Sequence, residues 1–359
     1  MKRIEKMYNR APLFMRSVYL LVIILGSCLA TSALAQESIC YDLSFEHLWN
    51  NSPYFNTTFL SYPQLVAKTL TAQEGFKTVH FSTPDGIQLN GLFRQCPDAR
   101  YTAICCAGFY PGRKETLAPL MLMHPTNCNL LFFDARGHGT SQGKFLTNLH
   151  RYGMWEYNDL VGAITFIHEN TDAPIILHGI CAGAFHAARA LIELTMQGSA
   201  DQYRIKGLIF DSGFGSLASS LHVPHIHLEQ KMLPIWIALW YSQDKPEQIK
   251  QRYLYRMARY VTTGTMRLLA FVLNPFVKRD DEQTNIWTRI GLIKCPILFI
   301  HARNDSYTPF EQALQLAHEA QYPQVWWLDD SEHAVNHLKH KQAYKEHTLA
   351  FIKQVLLVS

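Results

Sequence analysis

A chain of 359 residues, 48% hydrophobic and 17% charged, has enough apolar material for a substantial core, which excludes global disorder. Its formal net charge of +4 is small. It is spread along the chain with no basic tract interleaved with aromatics, which argues against a nucleic-acid partner.

The first segment reads as an export signal. Lys2, Arg3, Lys6, Arg10 and Arg16 supply the positive region and residues 18–25 the apolar one. Ala33-Leu34-Ala35 then supplies a small-residue cleavage site before Gln36, so residues 1–35 are expected to be removed and the product periplasmic or secreted. Two other readings use the same residues. Ile24-Leu25-Gly26-Ser27-Cys28 resembles a bacterial lipobox, which makes Cys28 a lipidated N-terminus. An uncleaved segment is instead a membrane anchor.

Export gives the eight cysteines meaning, because an oxidising compartment favours disulfides. Cys40 and Cys96 flank the first strands and are candidates to pair. Cys105, Cys106, Cys128 and Cys295 lie in or beside apolar runs and read as buried, inert thiols.

Residues 37–72 are mixed and aromatic without a clear period, a leader to the main domain. Residues 77–82 and 88–94 form two strands joined by Thr83-Pro84-Asp85-Gly86, a hairpin connection. Residues 101–106 are the next strand, leading into Ala107-Gly108-Phe109-Tyr110-Pro111-Gly112 and a helix near 114–123. A strand at 130–133 ends in Asp134-Ala135-Arg136-Gly137-His138-Gly139, and helical spacing resumes over 154–169.

The apolar run from residue 175 is broken by Gly179-Ile180-Cys181-Ala182-Gly183 and followed by an Ala-rich helix over 184–196. This is the layout of a nucleophile elbow, a sharp strand-to-helix turn that lifts one reactive side chain above a sheet. Small residues suit both flanks of so tight a turn. Strands at 205–210, 296–301 and 325–328 alternate with a helix at 309–320, and a closing helix spans 335–356. Alternation of this kind predicts an α/β domain with a mostly parallel sheet covered on both faces. Ligands in such sheets bind at the strands' carboxyl ends. The stretch from about 219 to 292 interrupts the alternation. It holds Trp236, Trp240, Tyr241, Tyr253, Tyr255 and Tyr260 and reads as a helical cap inserted over that end.

A thiol nucleophile needs a base, an orienting acid and oxyanion donors. Cys181 is the nucleophile, Asp305 in the loop after the 296–301 strand is the acid, and His333 before the closing helix is the base. The backbone N–H groups of Ala182 and Phe109 are the oxyanion candidates. Asp211, at the end of the 205–210 strand, is a rival acid. Arg136 and His138 read as loop-pinning residues, His178 as packing, and His337, His340 and His347 as surface positions of the closing helix. His222, His225 and His227 lack the carboxylate or cysteine context of a metal site, so neither metal nor cofactor is expected.

From residue 77 onward the chain resembles the α/β-hydrolase superfamily. The elbow, the Asp134–Gly139 loop, the Asp305 loop and the His333 loop occur in the superfamily's order, each at a strand's end. The resemblance implies the α/β-hydrolase fold with the cap as an insertion, and carries the catalytic roles to Cys181, Asp305 and His333. Two features depart from the usual pattern. Many members have His-Gly where this chain has Ala107-Gly108, and serine where it has Cys181. Cysteine-containing elbows are similar to those of dienelactone hydrolases, polyhydroxyalkanoate synthases and bile-acid-type acyltransferases, none of which matches the whole chain.

The implied activity is hydrolysis of an ester or thioester of an apolar acyl group through a thioester acyl-enzyme. Transfer of the acyl group to an amine or alcohol is the second reading, and a non-catalytic binding protein the third. The partner expected is a small-molecule or lipid-like acyl substrate. The run Leu233-Pro234-Ile235-Trp236-Ile237-Ala238-Leu239-Trp240-Tyr241 in the cap offers a membrane-surface contact as a further reading.

Overall fold

The computed structural model describes residues 70–72, 74–108, 112, 114–144, 153–216, 284–305 and 307–357. The signal segment with Cys28, Cys40, Phe109, the three histidines at 222–227 and most of the cap span lie outside the described residues. The described end of that span carries Ile286 and Ile290, which pack into the main core.

Eight strands form one sheet: β1 (Lys77–Ser82), β2 (Gln88–Arg94), β3 (Thr102–Cys106), β4 (Asn129–Phe133), β5 (Ile175–Ile180), β6 (Ile205–Asp211), β7 (Ile297–Ala302) and β8 (Pro323–Leu328). Their spatial order is β1-β2-β4-β3-β5-β6-β7-β8. β2 runs antiparallel to both of its neighbours, and every later pairing is parallel. Strands β3, β4, β5 and β7 are buried along their whole length, as expected for strands covered on both faces.

The covering helices are α1 (Tyr157–Asn170), α2 (Ala182–Met196), α3 (Phe310–Glu319), the short α4 (Asn336–Lys339) and α5 (Lys341–Leu357). The segment Lys114–Met123 is a 3-10 helix with Pro119 inside it. The predicted closing helix is therefore two helices, divided at His340. α1 and α2 bury Leu160, Ile164, Phe185 and Ala188 against one face of the central strands. Reversal of strand order around β3 and β5 places the β3 and β5 exits side by side, a crevice where ligands of open α/β sheets bind.

Candidate active site

The elbow is as tight as its sequence implies. Cys181 sits at φ 56°, ψ −120°, a conformation rare for a residue with a side chain. Its N–H donates to the carbonyl of Asp211 (2.8 Å), and its own carbonyl accepts from Ala184 (3.1 Å) and Phe185 (3.3 Å), starting α2. The glycines are required by contact. A Cβ on Gly179 would lie 2.4 Å from Ala184 Cα, and one on Gly183 would lie 2.2 Å from the carbonyl oxygen of Cys106. The helix therefore begins pressed against the end of β3.

That end also faces the thiol. A Cβ on Gly108 would lie 3.1 Å from Cys181 Cβ and 3.6 Å from its Sγ, so the end of β3 packs closely against the thiol. Ala182 is buried at the first turn of α2, where helix N–H groups lack an intrahelical acceptor. Phe109, the second oxyanion candidate, follows Gly108 and lies outside the described residues.

Asp305 and His333 meet as the sequence reading expected. His333 Nδ1 lies 2.8 Å from Asp305 Oδ2. The carboxylate is held on every side: Oδ1 accepts from the N–H groups of Tyr307 (2.8 Å) and Thr308 (2.9 Å), and Oδ2 from the Thr308 hydroxyl (2.9 Å). Burial works to raise the Asp305 carboxyl, but the positive His333 and these hydrogen bonds hold it below the usual carboxylate value. Burial likewise opposes a charged His333. Negative charge at Cys181 and the Asp305 carboxylate, which faces Nδ1, outweigh it and raise the imidazole well above 6.5.

Asp211, the rival acid, is turned elsewhere. Its carboxylate accepts from Asn336 Nδ2 (2.7 Å), the Ser212 hydroxyl (2.8 Å) and the Tyr344 hydroxyl (2.9 Å). The sequence reading of two histidines is corrected. His178 is hydrogen-bonded through both ring nitrogens rather than simply packed. His337 is buried rather than on the surface. The partners of His178 were invisible in sequence because they come from distant segments.

Arg136 holds its loop in place, pairing with Asp159 (2.7 Å) and Asp85 (2.7 Å) while its own N–H donates to Asp159 (2.8 Å). A neighbouring pair was not anticipated. Lys114 Nζ lies 2.6 Å from Asp134 Oδ2 in a buried ion pair, and Lys114 N–H donates to the other oxygen (2.9 Å). Tyr307 was also missed. Its ring packs on His333 with centroids 4.7 Å apart, and burial, then the Cys181 and Asp305 charges, push its phenol up to about 12. The only sequence hint was its place two residues after Asp305.

The described cysteines, Cys96 included, are unbridged. Burial holds Cys105 and Cys106 well above the ordinary thiol value and raises Cys128 to about 11 and Cys295 to about 12, so these four are inert near neutral pH.

Comparison with known proteins agrees with this architecture. Residues 122–338 match the profile of the family described as serine aminopeptidase, S33. The chain is 25% identical over 270 residues to an uncharacterized protein, YqkD, of Bacillus subtilis, covering 74% of this chain and 76% of that one. Among solved structures it is similar to the Pyrococcus furiosus esterase Pf2001, with a TM-score of 0.56 and 20% identity over 78% of this chain and 93% of that one. It is also similar to the Pyrococcus horikoshii acylaminoacyl peptidase, with a TM-score of 0.51 and 18% identity over 81% of this chain and 43% of that one. The sheet order and these likenesses are those of the α/β-hydrolase fold.

Proposed function

The chain belongs to the serine aminopeptidase (S33) family of α/β-hydrolases, and from that premise we propose that it is an exported hydrolase. Its bond is an ester or thioester of an apolar acyl group, and its nucleophile is Cys181. The observation that carries this reading is the His333 ring, which lies 2.8 Å from Asp305 Oδ2 and is electrostatically coupled to Cys181 on the strained elbow.

Cys181 Sγ attacks the carbonyl carbon, and the oxyanion that forms accepts from the Ala182 N–H and that of Phe109. Collapse expels the leaving group, which takes its proton from the His333 imidazolium, and leaves a thioester on Cys181. Water then attacks that thioester with His333 as base, and the acid and free thiol are released. Asp305 holds the ring's orientation and stabilises its charge through each step. Thiol and imidazole favour this chemistry because a thiol beside a positive imidazole ionises more readily than a hydroxyl.

Support for an apolar substrate comes from the aromatic content of residues 219–292, since ligand pockets are largely apolar with few polar groups. Support for export comes from the charge, apolar run and Ala33-Leu34-Ala35 of the N-terminus.

The test is to offer the protein a panel of activated esters, thioesters and peptide amides and follow turnover together with intact mass. An acyl adduct and turnover that Cys181→Ala abolishes are expected. Absence of both across the panel overturns the reading. Amines and alcohols added as acceptors then show whether the acyl group passes to water or to them.

A further inference from the structure

Behind His333 a line of buried polar groups crosses the core, and no step of the proposed reaction uses it. Asp211 is its hub. The Ser212 hydroxyl that donates to the carboxylate also accepts from the N–H of Ala334 (3.1 Å) and from Asn336 Nδ2 (3.1 Å). Ser212 and Ala334 both have left-handed backbones, at φ 54° and 55°, and Ala334 directly follows His333. Two strained residues are thus tied to each other beside the base.

On the other side of Asp211 the line continues inward. The Tyr344 hydroxyl bonds the carboxylate and lies 2.8 Å from His178 Nε2. His178 Nδ1 lies 3.2 Å from His124 Nε2, and His124 Nδ1 lies 3.0 Å from the Tyr101 hydroxyl. All four of these side chains are buried.

Proton accounting orders them. An ionised Asp211 only accepts, so Tyr344 donates to it. The Tyr344 oxygen then receives the Nε2–H of His178, whose Nδ1 lone pair takes the Nε2–H of His124. His124 Nδ1 is left to accept from Tyr101. Every donor points toward Asp211, and every ring nitrogen has a partner. The order requires both imidazoles to be neutral, and burial lowers His124 to about 3 and His178 well below 6.5.

We propose that Asp211 is a positioning residue for His333, oriented by the aligned chain Tyr344–His178–His124–Tyr101 and acting through Ser212 and Asn336 on the Ala334 turn. The inference rests on the reading of Cys181, His333 and Asp305 as the reacting groups. The physical point is that a left-handed alanine persists only where its surroundings fix it. Here what fixes it is a carboxylate whose own alignment comes from Tyr344 and His178, on the same face of the sheet.

The variant to make is Tyr344→Phe in the full chain, which keeps the ring against His178 and removes only the hydroxyl link. On an activated thioester at pH 7.5, kcat should fall about tenfold or more with KM within about twofold, because the base moves while the acyl site does not. Val355→Ala, a buried apolar truncation on the same helix, should lower the melting temperature and leave kcat near that of the wild type. Unchanged kcat in Tyr344→Phe, or equal losses in both variants, overturns the proposal.

A second measurement needs no activity. In ¹⁵N-histidine spectra of the wild type, His124 and His178 should both be neutral Nε2–H tautomers. A charged ring or an Nδ1–H form at either residue overturns the chain. So does a stoichiometric metal in the purified protein. Cys105, His124 and His178 bring ligand atoms within 4.8 Å of one another, and an ion there would replace the bond between the two rings. The expected tautomers in a protein that forms no acyl adduct would sink the hydrolase reading and leave the hydrogen-bond chain standing.

Discussion

Cys181 is costly by conformation. Its backbone lies where a Cβ is disfavoured by about 1–3 kcal/mol, and the fold pays that for a thiol held beside His333. Burial works to lower the imidazole's pKa, and the Cys181 and Asp305 charges together with the hydrogen bonds to the ring raise it. Cys181→Ala removes one of those charges. The ring's titration, followed by histidine NMR, should therefore shift to lower pH, and Asp305→Asn should shift it further in the same direction. A His333 that titrates identically in wild type and Cys181→Ala would mean that thiolate and imidazolium are not paired.

At the scale of elements, the elbow is fixed by where α2 lands. Gly183 admits no side chain because the carbonyl of Cys106 at the end of β3 occupies that space, and neither element can move without breaking the sheet's central pairings. Gly183→Ala should cost about 3 kcal/mol or more in urea unfolding, at the upper end for overpacking a core. Gly86→Ala, in the open turn between β1 and β2 with nothing within 4 Å, should cost only about 1 kcal/mol, for its φ of +82°. Equal losses would refute the contact argument. The same contrast explains what was legible in the sequence. β3, β4, β5 and β7 announced themselves as unbroken apolar runs, and Cys181, Asp305 and His333 as reactive residues just beyond such runs. Asp305 outranked Asp211 in the sequence only by its place in the resemblance; in the structure the difference lies in what each carboxylate accepts. His124, His178 and Tyr344 were not legible. No local pattern marks them, and their meaning depends on residues up to 166 positions apart in the chain. The 3-10 form of Lys114–Met123 was hidden for a similar reason. Its start is set by the buried Lys114–Asp134 pair, and no local periodicity encodes that contact.

At the scale of the molecule, buried titratable groups set the pH range in which the fold survives. Among the described residues burial holds five histidines below their ordinary value: His124 and His186 at about 3, His337 at about 4, and His178 and His301 in the same direction. An unfolded chain protonates each near pH ~6.5 while the folded one does not, so unfolding takes up protons and stability falls as pH drops below that point. Three buried carboxylates oppose the trend, because burial raises Asp159 to about 7, Asp211 to about 6, and Glu156 above its usual value. They bind protons in the folded state before the unfolded chain would. Among the described groups the lowered histidines outnumber the raised carboxylates, so unfolding takes up net protons as pH falls below about 6.5 and stability drops with it. On the alkaline side the sign reverses. His333 contributes stability below pH ~6.5 that is lost as pH rises through its raised folded value, and the buried thiols ionise later than they would in the unfolded chain. Stability from urea titrations between pH 5 and 9 should therefore peak near neutrality and fall more steeply on the acid limb. Domains have only about 5–15 kcal/mol in total, so a net uptake of this kind brings the acid limb toward unfolding. A flat profile, or one that rises toward acid, would mean that the buried histidines are charged in the folded protein and that the hydrogen-bond chain behind His333 is not neutral.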